Sequence, residues 1–268
     1  MRYVKSLRRE AARANLLGRR AIATRIVGRA RREGAKVEER TGVTVITVTW
    51  NSLPFLEGFL DGVRRNASEE LEILVVDNHS DDGTREFLLE QSDVRTIRTP
   101  LNIGHGLGLD LGVACARTTS VVTLDVDAFP ISPAWLPAVL EPLEQGAVVA
   151  GAYVQRAFIH PSYLAIRRAD YYGLNLRFVP VGVRPQPGDV PRGVFMDVGE
   201  ALCQTVAVVR GSAALHRIPI SSTRGEGLVG AVYGDVVYHN FFSTQGPPEL
   251  MEQSRDAWDE AVSTYLRS

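Results

Sequence analysis

From Val43 the chain alternates between two hydrophobic rhythms. Val43-Thr-Val-Ile-Thr-Val-Thr49 is an unbroken β-branched run, as expected of a strand buried on both faces. Residues 54–65 then carry apolar side chains at helical spacing behind Pro54, a residue suited to a first helical turn. The alternation continues with strands at Leu71–Val76, Val94–Arg98, Ser120–Leu124 and Ala147–Tyr153. Helical patterns at Thr84–Gln91, Leu107–Ala116 and 135–145 separate them. Strands alternating with helices predict an α/β fold with a mostly parallel sheet and right-handed crossovers.

The flanks are less regular. Residues 1–40 lack proline, are rich in Ala, Leu and Arg, and place Val4, Leu7, Ala11 and Ala14 at helical spacing, which predicts an N-terminal helical arm. Val179–Gly193 is rich in Pro and Gly and reads as a long loop, either a plain connection or a lid. Asp197 is a good N-cap for a helix running to about Val209. Val229–Val237 reads as one strand and Pro248–Leu266 as a final helix.

Composition alters this picture in two places. The formal net charge is −1, yet residues 1–40 hold thirteen Lys or Arg against four Glu, leaving −10 for the rest. A basic arm on an acidic body is a candidate for docking on an anionic membrane surface. No zinc knuckle or aromatic-rich basic face accompanies it, so nucleic acid is not the expected partner. Cys115 and Cys203 lack ligand-like spacing, which points to a reducing compartment. With no apolar run of about 18 residues and no apolar block behind the basic start, the expectation is a cytoplasmic protein, at most peripheral at the inner membrane face.

In an open parallel sheet, ligands bind beyond the carboxyl ends of the strands. Four successive strand ends carry polar or glycine-rich clusters: Thr49-Trp50-Asn51-Ser52, Asp77-Asn78-His79-Ser80-Asp81-Asp82-Gly83-Thr84, Asn102-Ile103-Gly104-His105-Gly106-Leu107-Gly108, and Asp125-Val126-Asp127. One such cluster is ordinary turn chemistry; four would open onto one edge. Two carboxylates at i and i+2 at a strand end suit a hard divalent cation shared with substrate phosphates. Gly104-x-Gly106-x-Gly108 is not a dinucleotide fingerprint, because it follows the third strand and the first turn has no glycine triplet.

These segments, with Asn102-x-Gly104-x-x-x-Gly108-x-Asp110-x-Gly112, resemble the family 2 glycosyltransferases of the GT-A fold over roughly residues 43–240. The resemblance implies a GT-A-like, Rossmann-type sheet flanked by helices in residues 41–268, with a donor-nucleotide half (41–127) and an acceptor half (128–268). It implies a nucleotide-sugar donor, UDP before dTDP or GDP, a hydroxyl-bearing acceptor such as a glycan, a lipid-linked sugar or a small metabolite, and Mn²⁺ or Mg²⁺. Thr49, Asn51 and Asp77 take the base and ribose, with Asn78 and Asp82 beside them. Asn102, Gly104 and Gly108 approach the donor, Asp125 contacts ribose or sugar, and Asp127 binds the metal. Asp110 stands where Asn is common.

Inverting transfer needs a carboxylate to accept the acceptor proton. Asp197 is the candidate base and Glu200 its reserve, although the same spacing is that of a capping box. His239 is a candidate to complete the metal shell, and His160-Pro161-Ser162, ahead of a further strand, a candidate lining of the acceptor cleft. Trp50, Trp135, Tyr153, Tyr163, Tyr171 and Tyr172 could stack on sugars, though aromatics more often fill cores. Two other readings remain. A sugar-phosphate nucleotidyltransferase would carry a glycine-rich basic loop where Thr49–Ser52 stands, and a non-catalytic nucleotide-sugar-binding protein would dock through its basic arm.

Overall fold

The computed structural model describes residues 2–67, 71–154, 158–180, 183–184, 194–223, 229–241 and 248–267. In chain order the elements are α1 (Arg2–Gly34), β1 (Arg40–Thr49), α2 (Leu53–Asn66), β2 (Glu72–Asp77), α3 (Thr84–Leu89), β3 (Val94–Arg98), α4 (His105–Cys115), β4 (Thr118–Leu124), β5 (Ala128–Pro130), α5 (Trp135–Glu144) and β6 (Val149–Val154). There follow β7 (Phe158–Arg167), α6 (Arg168–Gly173), β8 (Val183–Arg184), β9 (Val194–Phe195), α7 (Glu200–Arg210), β10 (Leu215–Ile218), β11 (Ile220–Thr223), β12 (Ala231–Tyr233), β13 (Val237–His239) and α8 (Pro248–Leu266).

Seven strands form the main sheet in the order β10-β6-β7-β4-β1-β2-β3. All run parallel except β7, which is antiparallel to both β4 and β6. Because side chains alternate across a strand, each strand feeds two cores. Val43, Val45 and Val75 face one, packed with α2, α5 and α8; Ile46, Val48, Leu74 and Val76 face the other, packed with α4, α6 and α7. The β-branched runs therefore mark strands covered by helices on both sides, as their lack of alternation predicts.

Glycine sets the distance between α4 and β1. A Cβ on Gly112 would lie 2.4 Å from Ile46 Cγ2, and one on Gly108 2.8 Å from Val48 Cγ1. The second half of α1 lies on this same face, with Ala23 and Val27 buried. Arg31 of α1 donates to Tyr171 Oη, whose own hydroxyl donates to the buried Asp110 of α4. Arg168, fully buried, donates to the Gly34 carbonyl and to Glu39 at 2.9 Å each.

Four expectations need correction. His160-Pro161-Ser162 does not precede a strand but lies inside β7, whose return beside β4 makes the sheet mixed. Val229–Val237 is two antiparallel strands, because Gly234 and Asp235 both adopt positive φ (53° and 59°) and turn the chain. The helix expected from Asp197 starts at Glu200, since Gly199 sits at φ 83° in the left-handed region and breaks the helical path. Trp135, Tyr163 and Tyr171 are fully buried core residues and offer no stacking face. Most of the Pro/Gly-rich stretch 179–193 lies outside the described residues. Among the described residues no helix is long and apolar enough to cross a membrane.

Candidate active site

The ends of β1, β2 and β4 and the start of α4 open onto a cleft of about 490 Å³. Asp125 and Asp127 enter it from the turn that ends β4, closed by the Ala128 N–H donating to the Asp125 carbonyl at 3.0 Å. Two neighbours hold this turn. The Asp125 N–H donates to the Ser162 carbonyl of β7 (3.2 Å), and the Asn240 N–H donates to the Asp127 carbonyl (2.9 Å). The β5–β13 pairing sets His239 opposite Ala128, so a residue more than a hundred positions away in sequence lands beside the carboxylates.

His239 Nε2 lies 3.6 Å from Asp125 Oδ2 and 3.5 Å from Asp127 Oδ1, while Nδ1 meets the Tyr233 hydroxyl at 3.2 Å. One ligand atom from each of Asp125, Asp127 and His239 falls within 4.8 Å of the others. All three side chains are largely withdrawn from solvent. Burial alone would lower the His239 pKa, but the two carboxylates raise it. Burial would raise the pKa of Asp125, yet His105 close by, with His160 and His239, holds its carboxyl well below the ordinary range.

Around this cluster the cleft is lined by Val48, Trp50, Ser52, Asn78, Asn102 and Gly104 on the nucleotide side expected from the sequence. Asn78 donates to Asn102 Oδ1 (3.0 Å), which also accepts the Gly104 N–H (2.9 Å). The two asparagines thus fix the loop that leads into α4. Gly104 needs its glycine, with φ 87° at the turn into the helix.

Other expected donor residues are not in the lining of this cleft. Thr49 is fully buried at the end of β1. Asp77 is buried, accepting from Arg98 (2.6 Å) and the Ser80 N–H (2.9 Å). Asp82 ties two loops together by accepting the Leu53 and Thr84 N–H groups. Asn51, at φ 51°, accepts the Asp81 N–H on its side-chain oxygen and donates its own N–H to Ser80 Oγ. Gly108 is a packing glycine against Val48.

Asp197, the expected base, lines the cleft. Its Oδ1 accepts the Val198 N–H (2.8 Å), and its own N–H donates to Glu200 Oε2 (3.0 Å). Half of a capping box is therefore realised, the reach-back by Glu200. Glu200 itself is buried and is not among the cleft's lining residues.

Two further histidines line the cleft, His105, which the sequence reading did not single out, and His160, which it did. His105, the first residue of α4, lines the cleft with Nε2 3.3 Å from Asp125 Oδ1; its place in a glycine-rich segment at a strand end was the available signal. Burial would depress its pKa, but Asp125 raises it. His160 also lines the cleft, its Nδ1 accepting the Ser162 N–H at 3.1 Å and its ring stacked 6.3 Å from that of His239. Burial lowers its pKa.

A model of glycosyl transferase family 2 matches residues 44–185. The chain belongs to that family. Among solved structures, glucosyl-3-phosphoglycerate synthase from Mycobacterium tuberculosis, in complex with Mn²⁺, UDP and glucosyl-3-phosphoglycerate, is 16% identical, with 90% of this chain and 84% of that one covered at TM-score 0.52. A mycobacterial protein is 16% identical over 89% and 78%, at TM-score 0.53. These likenesses show the fold, the GT-A arrangement. S. aureus TarS residues 1–349, in complex with UDP, is also 16% identical, at TM-score 0.44; the match covers 52% of this family 2 chain and only 50% of that one. No curated protein matches the sequence.

Proposed function

We propose that the protein transfers a sugar from a nucleotide-diphosphate sugar to an acceptor hydroxyl, with inversion, and that UDP is the favoured nucleotide. The observation that carries this reading is the convergence of Asp125, Asp127 and His239 in a cleft at the carboxyl ends of a family 2 sheet. The Asp127 carboxylate and the His239 imidazole, with the Asp125 carboxylate beside them, fit Mn²⁺ better than Mg²⁺, which favours oxygen alone. The similar structures solved in complex with Mn²⁺ and a uridine nucleotide support the same choice. When bound, the ion supplies positive charge for a departing diphosphate.

The chain's own residues do the rest. Asp127 and His239 hold the metal, and the Tyr233 hydroxyl orients His239 through Nδ1. Asp125, locked by His105, faces the ribose or the transferred sugar. Asn78, Asn102 and Gly104 shape the nucleotide side, and the ion pair of the buried Asp77 with Arg98 braces the loop beneath it. Asp197 accepts the acceptor's proton as its oxygen attacks the anomeric carbon. Glu200 holds the Asp197 backbone in place, which makes it a positioning residue.

Incubation with UDP-, GDP- and dTDP-sugars in Mn²⁺, across an acceptor panel, tests the reading through release of the nucleoside diphosphate. One nucleotide class should turn over, and Asp127→Ala should not. Release of pyrophosphate from a nucleoside triphosphate instead would reassign the protein to nucleotidyl transfer.

A further inference from the structure

We propose that His160 is a further residue of the donor site, donating a hydrogen bond from Nε2 to the diphosphate as it leaves. This rests on the glycosyl-transfer reading and deepens it, since that reading leaves His160 without a role. The ring lines the cleft, and it is anchored by the backbone of its own strand, β7. The Ser162 N–H donates to His160 Nδ1 at 3.1 Å, and the Ser162 carbonyl accepts the Asp125 N–H at 3.2 Å. One residue thus holds both the imidazole and the turn that carries the two aspartates.

The bond from Ser162 decides what the ring can do. A backbone N–H only donates, so Nδ1 presents its lone pair and the ring's proton sits on Nε2. Nε2 therefore takes up no proton, which leaves the base's task to Asp197, but it can donate. It has no hydrogen-bond acceptor among the described residues. The cleft's carboxylates are engaged with other groups. Asp125 lies 3.3 Å from His105 Nε2 and 3.6 Å from His239 Nε2, Asp127 lies 3.5 Å from His239 Nε2, and Asp197 accepts the Val198 N–H. With Nδ1 turned to the backbone, Nε2 is the atom of the ring left for a ligand.

Position argues for the diphosphate rather than for the acceptor. The His160 ring stacks on that of His239, with centroids 6.3 Å apart and planes 24° off parallel. His239 is one of the proposed metal ligands, and the metal is where the diphosphate binds. Asp125 and His239 also act on the His160 ring more strongly than Asp197 does. When the bond from the anomeric carbon to the diphosphate oxygen breaks, its electron pair passes to that oxygen. The negative charge gathering there strengthens a hydrogen bond from Nε2, and the proton stays on His160.

Two substitutions separate this role from a structural one. His160→Asn keeps an oxygen near the place of Nδ1 for the Ser162 N–H, and is too short to donate from the place of Nε2. His160→Gln carries an amide nitrogen out to the place of Nε2 and gives up the Ser162 bond. Titration calorimetry on the full chain in Mn²⁺ compares UDP, pyrophosphate and UMP, which lacks the second phosphate. Binding of Mn²⁺ alone is followed by electron paramagnetic resonance. His160→Asn should bind UDP and pyrophosphate about tenfold or more weaker than wild type, the loss expected for a hydrogen bond to a charged group. It should bind UMP and Mn²⁺ as wild type does. His160→Gln should bind UDP and pyrophosphate within about threefold of wild type. Unchanged UDP and pyrophosphate binding by His160→Asn overturns the proposal, as does an equal loss for UMP. A greater loss in His160→Gln than in His160→Asn would make His160 a clamp for Ser162, and weakened Mn²⁺ binding would make it a prop for His239; either overturns it. Pyrophosphate bound by wild type without UDP would count against the nucleotide-sugar reading alone, and the pyrophosphate arms would still report on His160. Neither ligand bound by wild type would overturn both.

Discussion

Asp197 carries one carboxylate and is asked both to shape a turn and to take a proton. The two roles separate in Asp197→Asn, because the amide oxygen can still accept the Val198 N–H. That variant should bind UDP and Mn²⁺ as wild type does and lose transfer by roughly 10²- to 10⁴-fold, the usual worth of a general base. A loss of nucleotide binding in parallel would make Asp197 structural. Glu200→Gln keeps an acceptor for the Asp197 N–H and should cost far less in the same assay. At this scale the sequence was readable where chemistry is local. Asp125-Val-Asp127 announces itself by following a buried strand, and His239 by closing an apolar run. His160 is harder to see, since its position depends on an antiparallel register with β4 that no neighbouring residue encodes. Asp77 and Asp82 read in the sequence as donor contacts; neither lines the cleft, and their hydrogen bonds to Arg98 and to backbone amides could not be read from spacing alone.

Among elements, the contact between α4 and β1 is fixed by the missing side chain at Gly112. Ile46 is β-branched and stiff, and cannot easily yield to a Cβ only 2.4 Å from its Cγ2. Gly112→Ala should therefore destabilise the fold by about 1–3 kcal/mol, measured by urea denaturation, despite alanine's better helix propensity. β2 is tied to its neighbours through Glu72, which accepts from Arg95 (2.7 Å) and Thr44 (2.8 Å). Burial pushes the Glu72 pKa up, but these partners and Arg40 bring it below its ordinary 4.5. A depressed carboxylate stabilises the fold above its unfolded pKa and loses that contribution as pH falls through the folded value. Glu72→Gln should cost about 1–3 kcal/mol at pH 7, and the gap to wild type should close below about pH 4; a constant gap would contradict the ionic account. Strands with continuous β-branched runs and the helix Pro248–Leu266 were legible because burial on both faces and helical periodicity leave direct marks. The β12–β13 hairpin was not, because Val229–Val237 is apolar on both sides of a Gly-Asp turn and reads as one run.

Across the whole molecule, the N-terminal helix behaves as part of the domain. Arg31 and Asp110 are 7% and 0% exposed, and Tyr171 connects them. Arg31→Ala would strand a buried carboxylate and should cost about 3–5 kcal/mol, seen as a lower denaturation midpoint; an unchanged midpoint would make α1 an independent arm. The basic charge of residues 1–40 was plain in the sequence. Its division into buried clamps such as Arg31 and exposed groups such as Arg19 and Arg20 was not, since that depends on which face of α1 meets α4. The central claim is that a metal at Asp127 joins the chain to a nucleotide diphosphate. Thermal unfolding with UDP, GDP and dTDP, each with and without Mn²⁺, on wild type and Asp127→Ala tests it most directly. UDP at 100 times its dissociation constant should stabilise wild type by about 2.7 kcal/mol, only with Mn²⁺ present, and should leave Asp127→Ala unmoved. No shift with any nucleotide, or an equal shift in both proteins, would contradict the account.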